Sequence, residues 1–132
     1  VYQKPIECSV LISKNILHIL VKLNYPYAER LTDCALAVPL LVAESHSLRF
    51  ADFALGVGYL EKAMSATNKM IVYLEHVRGL YGSKLKEDLI EDLIGRYTES
   101  RTKMFHLGKS WKRFRDQYSD EKEKKGAGGF KY

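Results

Sequence analysis

The chain has 132 residues, 46% of them hydrophobic, which is one domain's worth of sequence with enough apolar side chains to build a core without staples. Its formal net charge of +5 points to a polyanionic partner, because surface cations gain free energy by releasing counterions condensed on phosphate backbones. The longest apolar run, Ile16 to Leu23, is interrupted by His18 and Lys22 and falls short of the ~20 residues of a membrane span, so no membrane partner is expected.

Residues 5 to 24 read as a first helix, with Pro5 suited to the first turn and Ile12, Ile16, Ile19 and Leu23 on one stripe beside Leu17 and Leu20. Asn24-Tyr25-Pro26-Tyr27 ends it, since a residue before proline is pushed out of the α region. A second helix is predicted from about Ala28 to Ser45 through Leu31, Ala35, Val38, Leu41 and Val42. Pro39 lies in its middle, where it removes one backbone hydrogen bond and kinks the axis, yet the apolar phase continues across it.

Ser45-His46-Ser47 reads as a polar connection, with Ser47 as N-cap of a long third helix from about Leu48 to Arg78. Phe50, Phe53, Val57, Leu60, Met64, Thr67, Ile71 and Leu74 recur along that helix at threes and fours, and Gly56 and Gly58 permit close helix approach. Gly79 and Gly82 bracket its end, where a left-handed cap is expected. Ser83 is then expected to cap a fourth helix, whose early turns hold Glu87, Asp88, Glu91 and Asp92 and whose late turns hold cations, the order that suits the helix dipole. From Asp120 to Gly129 the sequence is charged and glycine-rich, so the division expected is a four-helix bundle over residues 1–118 and a flexible tail over 119–132.

The segment from Arg96 to Arg115 gathers Arg96, Arg101, Lys103, Lys109, Lys112, Arg113 and Arg115 against the single acid Glu99, a formal +6 in a chain whose total is +5. It also keeps an apolar seam of Leu93, Tyr97, Met104, Leu107, Trp111, Phe114 and Tyr118, with Ser100 in the one small slot. On a helical wheel the seam takes one side. Arg101, Lys109, Lys112, Arg113 and Arg115 are then the candidate phosphate contacts, acting through charge and not base reading. Arg96 and Lys103 lie nearer the seam's other edge, where an acid on a neighbouring helix is the natural partner. The plain alternative is a solvated helix surface, against which stands the excess of cations over anything solubility needs. Trp111 reads as core or subunit interface rather than a base-stacking platform.

No site for chemistry emerges beside this face. Carboxylate-bridged metal bundles project a Glu-x-x-His pair inward, and no Glu here has His three residues on; Glu44 with His46 and Glu75 with His76 diverge around the helix. His18, His76 and His106 read as exposed or satisfied polar positions. Gly56-Val57-Gly58 lacks the further glycine of a phosphate loop, and no serine or cysteine is paired with a histidine and a carboxylate. The expectation is a non-enzyme with no catalytic residues, metal or cofactor. Cys8 and Cys34 sit in apolar segments without a spacing partner and read as free buried thiols, which favours a reducing, cytoplasmic setting; no secretory signal pattern opens the sequence.

With no strand-like alternation and short links, the economical architecture is all-α, an antiparallel up-and-down four-helix bundle. The third and fourth helices outrun the others, and the leftover apolar surface, including some of Tyr59, Tyr73, Tyr81, Phe105 and Tyr118, is expected to be covered by self-association in a closed ring.

The run Leu31-Thr32-Asp33-Cys34-Ala35-Leu36-Ala37-Val38-Pro39-Leu40-Leu41-Val42-Ala43-Glu44, followed by Phe50-Ala51-Asp52-Phe53 and Gly58-Tyr59-Leu60-Glu61-Lys62, resembles the four-helix-bundle family that includes ribosomal intervening-sequence proteins. Within that family, Met104-Phe105-His106-Leu107-Gly108-Lys109-Ser110-Trp111 is similar to the fourth-helix ending of accessory proteins of diversity-generating retroelements, and the likeness spans about residues 10 to 115. The resemblance implies a homopentameric barrel of bundles. It would bind the reverse transcriptase and its structured template RNA, and would assist mutagenic complementary-DNA (cDNA) synthesis without catalysing it. The other reading is a structural or ribosomal-RNA-associated bundle of the intervening-sequence type.

Overall fold

In the computed structural model, which describes the backbone of residues 2–129 and the side chains of residues 2–117, all regular structure is helical; no strand occurs among the described residues. The helices are α1 (Gln3–Asn15), α2 (Leu17–Lys22), α3 (Ala28–Leu48), α4 (Phe53–Tyr81) and α5 (Glu87–Gly129). α3 packs on α4, α4 on α5, and α1 closes the circuit by packing on both α3 and α5. Successive long helices therefore lie side by side, the arrangement expected of an all-α bundle with short links.

The predicted first helix is two helices. Asn15 turns its side-chain amide onto the Leu11 carbonyl at 3.2 Å, and the backbone hitches at Ile16 (φ −118°) before α2 resumes, because that amide competes for an acceptor the helix uses. The apolar stripe survives the hitch: Cys8, Ile12, Ile16 and Leu20 are all buried. α2 ends on Asn24 at φ +59°, with Asn24 N–H donating to Val21 and Tyr25 N–H to Leu20, a closure that meets two orphan carbonyls of the last turn. The Tyr25 ring then packs edge-on to Tyr27 and Tyr81, and its hydroxyl meets His76 Nδ1 at 2.8 Å, which ties this turn to the far end of α4.

α3 runs unbroken through the buried Pro39, as the unchanged phase implies, but it does not stop at Ser45. The hydroxyls of Ser45 and Ser47 bond back to Val42 and Ala43 of their own helix at 2.6 and 3.2 Å, so neither is free to cap α4. The cap is Asp52, extended at φ −148°, whose carboxylate accepts from Leu55 N–H at 3.1 Å. Phe50, expected on the α4 stripe, therefore lies in the turn and is 79% exposed.

At the other end, α4 continues to Tyr81, and the positive φ falls on Gly82 (+49°) rather than Gly79. A short 3-10 turn, Gly82–Lys84, takes up Ser83, and Leu85 is buried. α5 therefore begins at Glu87 rather than directly after Ser83, with Glu87 and Asp88 in its first turn. The seam of α5 behaves as read from Leu93 to Trp111: Leu93, Tyr97, Ser100, Met104 and Trp111 are all buried. Phe114 leaves it, 58% exposed. The backbone of α5 runs on to Gly129, through most of the segment expected as a tail; the side chains of Tyr118 and the tail, and all of residues 130–132, lie outside what is described.

Candidate nucleic-acid interface

The cations of the Arg96–Arg115 segment divide into two groups along α5. In the first group, charge is spent inside the protein. Arg96 reaches Asp92 at 2.8 Å and Glu7 of α1 at 3.6 Å, as its place at the seam edge suggested. Glu99, the one acid of the segment, is held by Lys4 of α1 at 2.7 Å and by Lys103 at 3.2 Å. Those contacts lower the carboxyl pKa of Glu99, chiefly through the Lys4 hydrogen bond, and raise that of Lys4. These pairs are solvent-exposed and hold α1 in register more than they stabilise it.

The second group faces outward. Arg101 is half-buried and donates to the neutral Asn68 carbonyl oxygen of α4 at 2.8 Å, so it is positioned without being neutralised. Lys109, Lys112 and Arg113 are exposed, and among the described residues no carboxylate comes within 4 Å of them. Arg115 touches Asp116 at 3.4 Å and lies over the Phe53 ring at 4.4 Å. Steps of three and four put Arg101, Phe105, Lys109 and Lys112 on one face, and the Lys109 ammonium sits 5.1 Å from the exposed Phe105 ring. All five candidate phosphate contacts thus keep an outward or aromatic-backed charge. Arg115 alone has an acidic partner, which is its own chain neighbour.

Reasoning on the sequence missed the neighbourhood of Trp111. The turn after α3 brings the Arg49 guanidinium over the Trp111 ring at 4.7 Å and over Phe50 at 4.3 Å, while His46 meets Trp111 edge-on at 5.2 Å. Burial and the Arg49 charge lower the pKa of His46. Gly56 makes this approach possible: a Cβ there would stand 2.6 Å from Arg49 Cα, whereas one at Gly58 would meet nothing. The signal available was Asp52 in Arg49-Phe50-Ala51-Asp52-Phe53, an N-cap residue as good as Ser47, and starting the helix there places Arg49 and Phe50 in a turn.

The thiols lie apart and free. Cys8 is buried, and burial pushes its pKa up to about 11; Cys34 is only half-buried, and its thiol points to the Ala66 carbonyl at 3.4 Å. Among the described residues no three His, Cys, Asp or Glu side chains cluster as metal ligands, and no helix is long and apolar enough to cross a membrane. The chain matches no family model, no curated protein and no solved structure.

Proposed function

We propose that this chain is a non-catalytic accessory protein of the Avd kind (accessory variability determinant), which binds a retroelement reverse transcriptase and its template RNA through the outer half of α5 and so supports mutagenic cDNA synthesis. The observation that supports the reading best is the run of exposed cations at Lys109, Lys112 and Arg113 with no carboxylate partner among the described residues. Cations left unpaired along one helix are free to exchange water and counterions for phosphate oxygens, and the gain needs no base-specific geometry. The resemblance carried by Leu31–Glu44 and Met104–Trp111 selects the RNA and the polymerase. Both segments belong to helices that also expose large apolar side chains, among them Leu36, Leu40 and Phe105, which supports assembly into a homopentameric ring. A ring multiplies the basic face and lets weak phosphate contacts act together.

The test is Lys112→Glu combined with Arg113→Glu, two exposed sites whose change leaves the core alone. Helical content and assembly state are expected to stay as in the parent, while binding to template RNA and to the reverse transcriptase is lost. Unchanged binding would remove the basic face from the function. RNA binding that survives in the parent protein without any polymerase binding would point instead to the ribosomal-RNA-associated bundle.

A further inference from the structure

Where the α3–α4 turn folds against α5, Arg49, Phe50, Phe53, Trp111, Phe114 and Arg115 wall a half-open cavity of about 440 Å³. Three features separate it from ordinary leftover apolar surface. Its two cations sit over rings: Arg49 over Phe50 and Trp111, and Arg115 over Phe53. The Arg49 guanidinium has no acidic partner among the described residues, so its donor edges are uncommitted. Trp111 is 3% exposed, and its indole N–H has no acceptor among the described residues. An unpartnered buried donor is uncommon in a folded chain, and this one belongs to a residue that lines the cavity.

The chemistry of the walls narrows the ligand. An apolar occupant would shut the Arg49 guanidinium away from water without an acceptor, and a bare phosphate would leave the rings of Phe50 and Phe114 in water. A ligand that is both planar and anionic answers both. The unpaired Lys112 lies three residues before Arg115 on α5 and links the cavity edge to the outer face that carries Lys109, as a polymer with repeating phosphates requires. The acids close by are engaged, Asp52 as the α4 cap and Asp116 on Arg115.

We infer that this cavity holds one unstacked nucleotide of single-stranded RNA, its base against Phe50 and Phe114 and its phosphate on Arg49 and Arg115. The inference rests on the RNA-binding reading and adds to it a preference: the outer basic face takes any phosphate backbone, while the cavity takes only a nucleotide free of its duplex.

Trp111 is the sole tryptophan of the chain, so its emission in the folded protein comes from the wall of this cavity. The full chain is titrated with adenosine monophosphate, inorganic phosphate, a short oligoadenylate, an RNA duplex of equal length and an acidic, tyrosine-containing peptide. Quenching by the mononucleotide and the oligoadenylate but not by phosphate is expected. Phe50→Ala with Phe114→Ala, both exposed and removable without opening the core, is expected to weaken oligoadenylate about tenfold or more and leave duplex affinity unchanged. Lys112→Glu with Arg113→Glu is expected to weaken oligoadenylate and duplex alike and to keep the mononucleotide response. Emission blind to both nucleotide probes, single-strand affinity indifferent to the phenylalanines, or a larger response to the peptide than to nucleotides would each overturn the assignment. Duplex affinity unmoved by the Lys112 and Arg113 change would sink the basic-face reading and leave the cavity standing.

Discussion

The Arg49 guanidinium rests 4.7 Å from the centre of the Trp111 ring, and it gets there because Gly56 has no side chain. The backbone of Arg49 lies against the first turn of α4 at a distance that excludes a methyl group. The turn, the start of α4 and the outer part of α5 are therefore one packed unit. Moving any of them moves the ring that anchors the other two.

Gly56 and Gly58 sit two residues apart on one helix and should answer oppositely to alanine. At Gly56 the new Cβ collides with main chain, which has little room to yield, so the protein should lose about 1–3 kcal/mol despite the better helix former. At Gly58 nothing stands in the way, and up to about 1 kcal/mol should be gained. Urea unfolding of the two variants, with Trp111 emission as the probe, measures both; equal effects would mean that the close approach has no energetic weight.

Tyr97 is wholly buried and its hydroxyl has no hydrogen-bond partner among the described residues; burial raises its pKa, so the group stays neutral. Its ring fills the middle of the bundle while its oxygen only bears a desolvation cost. Tyr97→Phe should therefore be neutral or stabilising by up to about 1 kcal/mol, whereas Tyr97→Ala should cost about 3–5 kcal/mol. Chemical denaturation of both variants decides. A Tyr97→Phe loss above about 1.5 kcal/mol would mean that the hydroxyl has a partner in solution.

The bundle was legible because periodicity reports burial directly: Ile12, Leu31, Leu60, Leu93 and Met104 all stand where a spacing of threes and fours puts them, and all are inside. Helix ends were less legible, because a serine hydroxyl can cap a helix or bond back to its own carbonyls, and Ser45 and Ser47 do the latter. The outward charges of Lys109, Lys112 and Arg113 came from position on the wheel. The Trp111 cavity did not, since it joins Arg49 to residues more than sixty positions later, and only tertiary contact reveals such a pairing.

His46 lends this end of the molecule a pH dependence with a defined sign. Its pKa is lowered in the fold, by burial first and by Arg49 second, so below the ordinary value of about 6.5 the unfolded chain takes up the proton more readily than the folded one. Stability from this group is complete above that value and is lost as pH falls below it toward the depressed folded pKa. Glu99, also lowered, loses its share only at more acid pH, below about 4.5. Thermal unfolding should therefore show an early decline beginning near pH 6.5 that His46→Gln abolishes. A parent curve flat from pH 7.5 to 5.5 would contradict the assignment.

Assembly can be tested through the exposed faces of α1 and α3. α1 exposes Ile6 and Val10, and α3 exposes Leu36 and Leu40, the latter at 53% and 61%, beside a groove that also includes Ser9, Ser13 and Ala37. Apolar side chains repeated at steps of four on two adjacent helices form a face that water opposes and a second copy can cover. Leu36→Glu with Leu40→Glu places two charges in that face at little cost to the isolated bundle. Light scattering should find the parent as a closed oligomer and this variant as a monomer of unchanged helicity. RNA affinity should fall by about a hundredfold or more, although no cation has been touched, because each protomer then binds phosphate alone. A parent protein that is monomeric at all concentrations, or a monomeric variant that keeps full affinity, would separate the basic face from any need for a ring.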